Sequence, residues 1–200
     1  MGFLTDYKKP YVRYKGCTYH VNAAYDSVLN IQRMYREEKQ MEESEKTDLA
    51  LSILIGNTRQ AWKLSYPERA ELLALIFREH IETKKRPHVG RAQRLLDFEE
   101  DGEYIYASFL QDYGVDLIDM QGKLSWRKFI ALFEGLGEKT KIKEVMRIRG
   151  MEIPKPNSYN QKEIQRIQEL KMYYALPAGD QEHGLDVLFS TLERMAGKGG

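Results

Sequence analysis

The sequence is poor in cysteine, in tryptophan, in charge of one sign and in long apolar runs. Cys17 is the single cysteine among 200 residues, which excludes a disulfide framework and a multi-cysteine zinc site. Lys+Arg number 31 against 30 Asp+Glu, a formal charge of +1. Dedicated nucleic-acid and membrane-surface proteins are usually strongly basic, so neither class is expected. The longest apolar run, Leu49 to Ile55, spans seven residues and is broken by Ser52, whereas a bilayer span needs about 20. The opening MGFLTDYKKP has no apolar h-region, so no secretory signal is expected. Gly2 follows Met1, but Asp6 stands where a myristoylation signal carries Ser or Thr. The expectation is a soluble intracellular protein of one domain or two small ones. Tyrosine breaks the pattern of scarcity: there are 13, against two Trp, clustered at the two ends and around residue 106.

The chain begins with a hairpin pattern. Tyr11–Tyr14 and Cys17–Val21 are rich in aromatic and β-branched residues, and Lys15-Gly16 between them suits a two-residue turn. The period then changes. Asn22 is placed to cap a helix whose Ala24, Val28, Ile31 and Tyr35 share one face. Residues 37–45 read as a charged, exposed stretch, followed by the apolar segment Leu49–Ile55. Ser65-Tyr66-Pro67-Glu68 matches a capping box and opens a helix carrying Leu72, Leu75, Ile76 and Phe77, reaching Ile81.

Beyond a basic, Pro- and Gly-containing stretch the helical signal strengthens. Tyr106, Phe109, Leu110 and Tyr113 fall at i, i+3, i+4 and i+7, with Gly114 as a stop. Ser125 precedes Trp126, Phe129, Ile130 and Phe133 at the same spacing, and Ile142, Val145, Met146 and Arg149 repeat it. Residues 154–159 form a connector. A polar helix over 161–174, anchored by Ile164 and Ile167, stops before Pro177. Leu185, Leu188, Phe189 and Leu192 mark one more amphipathic helix. The expected fold is mainly α, a helical domain with a small N-terminal β-hairpin and about eight helices.

Few residues point to chemistry. Asp97-x-Glu99-x-Asp101-Gly102 resembles the first half of a calcium loop, but Ser108 occupies the twelfth position, where a bidentate Glu belongs. An acidic first turn favourable to a helix dipole is the better account. His20, His80, His88 and His183 include no i, i+3 or i+4 pair, so no helical zinc pair exists, and no metal or cofactor is expected. Gly122-Lys123-Leu124 lacks the other residues of a phosphate loop, and neither G-x-S-x-G nor H-E-x-x-H occurs. The expectation is a protein that is not an enzyme. Two basic runs, Lys84, Lys85, Arg86, Arg91, Arg94 and Lys139, Lys141, Lys143, Arg147, Arg149, invite a nucleic-acid reading. The acidic block between them opposes it. The aromatic faces have two readings, core packing or a docking groove for a partner helix. Tyr106, Phe109, Tyr113, Trp126, Phe129 and Phe133 are the candidates for the second.

At this point the residues resemble the bacteriophage Gp-fifteen family. The resemblance rests on Asp97-Phe98-x-x-Asp101-x-Glu103-Tyr104-Ile105-Tyr106-Ala107-Ser108-Phe109 and Tyr113-Gly114-Val115-Asp116-Leu117. Leu124-Ser125-Trp126-Arg127-Lys128-Phe129-x-Ala131-Leu132-Phe133-x-x-Leu136 and Tyr174-Ala175-Leu176-Pro177 extend it, with weaker agreement at Leu4-Thr5-Asp6 and the hairpin. Together with the residue pattern, it divides the chain into four segments: 1–82, a hairpin plus helices; 83–96, a linker read from its basic, Pro- and Gly-containing composition; 97–180, the helical family core; and 181–200, an extension with one amphipathic helix. It also implies origin in tailed phages or prophages of Gram-positive bacteria. The implied role is a tail assembly chaperone, a non-catalytic holdase acting on the tape measure protein in the host cytoplasm. The major tail protein and a second copy of the chain are further candidate partners. A nucleic-acid-binding or regulatory phage protein, or a structural tail component, is the alternative. The family has no established catalytic residues, so none carries over. Arg127 departs from the family pattern, standing where a second aromatic is usual, and residues 181–200 extend past its usual end.

Overall fold

The computed structural model describes residues 4, 10–56, 59–82 and 94–177. Seven α-helices and one two-stranded antiparallel hairpin occur among them, the mainly helical fold expected. The linker 83–96, apart from its last three residues, and the extension 181–200 with the Leu185–Leu192 stripe lie outside the described residues, as do Gly2, Asp6, His88 and His183. The described residues cluster into two compact units, the first comprising 10–82 and 121–130, the second 94–120 and 131–177.

In the first unit, β1 (Tyr11–Tyr14) pairs with β2 (Cys17–His20), Val12 opposite Tyr19. Lys15 and Gly16 both take positive φ, 46° and 76°, the signature of a type I′ turn, whose twist matches that of the strands. Val12 and Tyr19 form the inward face and are buried. A two-stranded hairpin is marginal alone, and here helix α3 (Tyr66–Ile76) supports it. The Tyr14 hydroxyl donates to Glu71 at 2.5 Å, and the Lys15 ammonium pairs with Glu68.

Helix α1 (Tyr25–Glu37) buries Val28, Ile31 and Tyr35, and Ala24 just before it, as the spacing requires. Asn22 is not its cap. The backbone at Ala24 is extended and bridges Ser125: Tyr25 N–H donates to Leu124 O at 2.9 Å and Trp126 N–H to Ala23 O at 2.8 Å. The helix therefore starts only at Tyr25, and Asn22 instead accepts the Ala24 N–H. Helix α2 (Glu43–Ile55) extends a second expectation, since it joins the last three residues of the charged stretch to the apolar segment, while 38–42 connect it to α1. Its capping box uses Glu42 and Glu45, so the usual Ser or Thr signal was missing from the sequence. Helix α3 begins at the expected box, with Ser65 N–H donating to Glu68 at 2.7 Å and Pro67 in the first turn. It continues into a wider π-type turn over Phe77–Ile81, where Glu82 N–H reaches back to Phe77 O.

The second unit contains α4 (Gly102–Tyr113), α6 (Lys141–Gly150) and α7 (Gln161–Tyr173). Helix α5 (Trp126–Glu134) gives its first five residues to the first unit and the rest to the second. Gly114 ends α4 at φ 63°, its N–H bonded to Leu110 O, the left-handed C-terminal stop that glycine favours. Helices α4 and α6 share the buried core made by Ile105, Phe109, Ile142 and Val145. Ser108 joins them: its hydroxyl donates to Tyr104 O at 2.6 Å and accepts the Ile142 N–H at 3.1 Å. It thus satisfies one of the first-turn donors that α6 leaves open.

Candidate partner-binding surface

The candidate aromatics divide by unit and by depth. In the first unit, Trp126 and Phe129 are buried, with ring centroids 5.7 Å apart. Tyr25 stacks on Phe129 at 4.8 Å. Arg127 beside them donates to Glu82 O at 2.9 Å, capping the end of the π-type turn. A cation at a helix C-terminus is favoured there, and an aromatic in its place would lack that charge. In the second unit, Phe109 and Phe133 are buried, Phe109 edge-on to Tyr113 and Phe133 edge-on to Phe98. Tyr106 and Tyr113 are half-buried with their hydroxyls engaged, Tyr113 donating to Leu132 O at 2.9 Å and Tyr106 to Asp116 at 3.0 Å. Four of the six side chains thus pack inside, and Tyr106 and Tyr113 reach the surface.

The acidic block serves the fold. Asp97 accepts the N–H groups of Glu99 and Glu100 at 2.9 and 3.1 Å. Asp101 is 1% exposed and Arg149 7%. They form a bidentate pair at 2.7 and 2.8 Å, the strong fork geometry of guanidinium and carboxylate. Asp101 also accepts the Asp97 N–H, and Arg149 donates to Leu95 O and Tyr174 O. Lys171 of α7 closes the node by donating to Arg149 O and Met151 O, each at 2.6 Å. Among the described residues no group of His, Cys, Asp and Glu is arranged to hold a metal ion. The second basic run is likewise divided among local partners. Lys141 donates to Glu144 and to the Tyr174 hydroxyl, Lys143 lies over the Phe133 ring, and Arg149 is the buried clamp.

The surface of the second unit carries apolar groups that the spacing assigned differently. Leu110, counted by period with the buried face of α4, is 46% exposed, and Ile118 is 65% exposed. On α4, Glu103, Tyr106 and Leu110 succeed one another at i, i+3 and i+7 along one face. Asp116 ties the following loop to that face, bonding Tyr106 through one oxygen and the N–H groups of Ile118 and Asp119 through the other. The Tyr106 hydroxyl titrates above its ordinary value, first because it donates to Asp116, then through desolvation and the charges of Asp116 and Asp119. Asp116 is held below the ordinary carboxylate value by that bond and by the backbone N–H groups it accepts. Residues 102–122 contain no Lys, Arg or His. That cation-free run is visible in the sequence itself.

Helix α7 presents a second kind of surface. No residue of it is fully buried. Ile164, Ile167 and Leu170 are half-covered, and Met172 and Tyr173 are 78% and 76% exposed. No helix among the described residues is long and apolar enough to cross a membrane.

The chain is mainly helical, and its second unit exposes the apolar side chains of Leu110 and Ile118 beside acidic residues. The family comparison specifies it further: the model of the family described as Bacteriophage Gp15 protein matches residues 4–176, and the chain belongs to that family of phage proteins. No curated protein and no solved structure matches the chain.

Proposed function

We propose that the chain is a tail assembly chaperone, a non-catalytic holdase that binds the tape measure protein in the host cytoplasm during tail morphogenesis. Membership of the family over residues 4–176 carries this reading, through the role that the resemblance implies. The surface is consistent with it. A long tape measure helix exposes apolar positions before tube subunits enclose it, and reversible burial of those positions needs bare apolar side chains on the binder. Leu110, Ile118, Met172 and Tyr173 are of that kind. Modest affinity per copy suffices when many copies line one chain. Release follows when tail-tube subunits compete for the same positions, and it requires neither a cofactor nor catalysis. Engagement of Lys141, Arg149 and Arg94 with partners inside the unit weighs against the nucleic-acid alternative.

The test is co-expression of the phage's tape measure protein with and without this chain. Soluble tape measure only in its presence is the expected result, and equal solubility in both sinks the reading. Presence of the chain in purified virions would replace the chaperone with a structural tail component.

A further inference from the structure

The exposed face of α4 and the loop after it combine two properties. Leu110 and Ile118 offer apolar surface to solvent; Glu103 shares the Tyr106–Leu110 face of α4, Asp116 and Asp119 lie in the loop that carries Ile118, and no cation occurs in residues 102–122. The arrangement is built into the fold. Asp116 pins both the Tyr106 hydroxyl and the Ile118 N–H, so Ile118 is fixed beside the Tyr106 turn of α4. Asp112 accepts the Gly137 N–H at 2.8 Å, which fixes the far end of the helix in turn. The segment brought in there, 131–138, adds Glu134 and Glu138, and Lys139 follows at its end.

We propose that this face is the seat of the partner, and that its occupant is an amphipathic helix carrying Lys or Arg beside its apolar stripe. The reasoning is charge complementarity around an apolar centre. A like-charged partner would be repelled and a cationic one steered in. The same field turns away nucleic acids and anionic bilayers, which removes the other two classes of ligand for an exposed apolar face. A helix fits better than an extended strand, because a strand adds to an open sheet edge, and α4 offers a helix face spaced at i, i+3 and i+7. The inference rests on the tape measure reading and makes it narrower. It names where on this chain the partner docks and which stretches of the tape measure are held, those whose apolar stripe is flanked by Lys or Arg.

The experiment titrates the full chain with tiled, roughly 30-residue peptides covering the tape measure protein of the same phage. Tiles with Lys or Arg flanking an apolar stripe are expected to bind, more weakly as salt rises. The double variant Leu110→Ser/Ile118→Ser replaces two exposed side chains, so its thermal midpoint should stay near that of the wild type. Its affinity should fall by about tenfold or more, as for central residues of a docking site. Glu103→Lys should weaken binding by a few-fold and flatten the salt dependence. Should the double variant bind every tile within twofold of the wild type, the α4 face is not the seat, while the chaperone reading stands on its solubility test. Preference for uncharged or acidic tiles also overturns the inference, as does a wild-type chain that binds no tile. A sedimentation-velocity dimer that dissociates in the double variant would reassign the face to a second copy of the chain and overturn it too.

Discussion

In the first unit the core is built mainly of apolar side chains: Val28, Ile31, Leu51, Leu54, Leu72 and Ile76 are each 0% exposed, with Thr47 and the Glu43-paired Lys46 as its main buried polar groups. In the second, a bidentate Asp101–Arg149 pair is buried among the helices, and one guanidinium touches Leu95 O, Tyr174 O and both oxygens of Asp101. These are different ways of specifying structure. Apolar packing is non-directional and is strong in proportion to the area buried. A buried ion pair contributes little net stability, because desolvation offsets most of its attraction. It is directional, however, and this one fixes the segment at 95–101, the end of α6 and the end of α7 at one point. Helix α7 has no buried residue of its own. Its place in the unit therefore depends on this node, on Lys171 and on the half-covered Ile164, Ile167 and Leu170.

The largest effect should come from breaking the node on one side. Arg149→Ala leaves Asp101 buried without its cation and strands two carbonyls, and should cost about 3–5 kcal/mol, read from urea unfolding. Replacing both partners, Asp101→Leu with Arg149→Met, should cost less than the single change, because no charge is left buried. A single variant no worse than the double would show that the node is not what distinguishes the second unit. The matching test of the first unit is Leu72→Ala, a large-to-small change at a fully buried site, expected to cost about 2–5 kcal/mol with no rescue from any polar partner. Hydrogen exchange should locate the loss at Leu72 in α1–α3 and the loss at Arg149 in α4, α6 and α7. Protection falling everywhere in both variants would show that the two units unfold as one and would erase the contrast.

The difference between the units also governs what could be read in advance. Periodicity found the faces of α1, α3, α5 and α6, because apolar burial repeats with the helix and leaves a mark every three or four residues. Capping chemistry found the start of α3, through Ser65 and Glu68, but missed α2, whose box begins with Glu42 in place of Ser or Thr. Asn22 misled because the helix start there is set by a pairing with residues 124–126, about a hundred positions away. The Asp101–Arg149 pair has the same character: 48 residues separate the two, and locally Asp101 reads as an acidic first-turn residue and Arg149 as the amphipathic last position of the α6 face within a basic run. Among the aromatics, spacing could identify a face but not its depth. Phe109 and Leu110 are neighbours in one motif, yet the first is 0% and the second 46% exposed. Depth depends on which neighbouring helix covers the face, and one chain's periodicity does not contain that.

Smaller changes probe how the hairpin is held in the first unit. Ser65→Ala removes the side chain that accepts a first-turn N–H of α3, and should cost about 1 kcal/mol. Below that comes Glu68, which joins the cap to the hairpin. Its carboxyl accepts from the Lys15 ammonium and from both the N–H and the hydroxyl of Ser65. These bonds, Lys15 first, draw its pKa down from 4.5 to about 2. A carboxyl depressed in the folded state stabilises the fold above its unfolded pKa, and that contribution disappears as pH falls through the folded value. The window is therefore from about pH 4.5 down to about 2, and the effect is small because the pair is open to solvent and screened by salt. Glu68→Gln should flatten the fall of thermal midpoint across that window, and Lys15→Ala should flatten it in part, since Ser65 still donates to the carboxylate. If wild type and Glu68→Gln lose stability in parallel across the window, the turn of the hairpin is not held by charge. Its attachment to α3 would then rest on Val12, Tyr19 and the Tyr14–Glu71 bond, leaving the first unit governed by apolar packing even at its most polar edge.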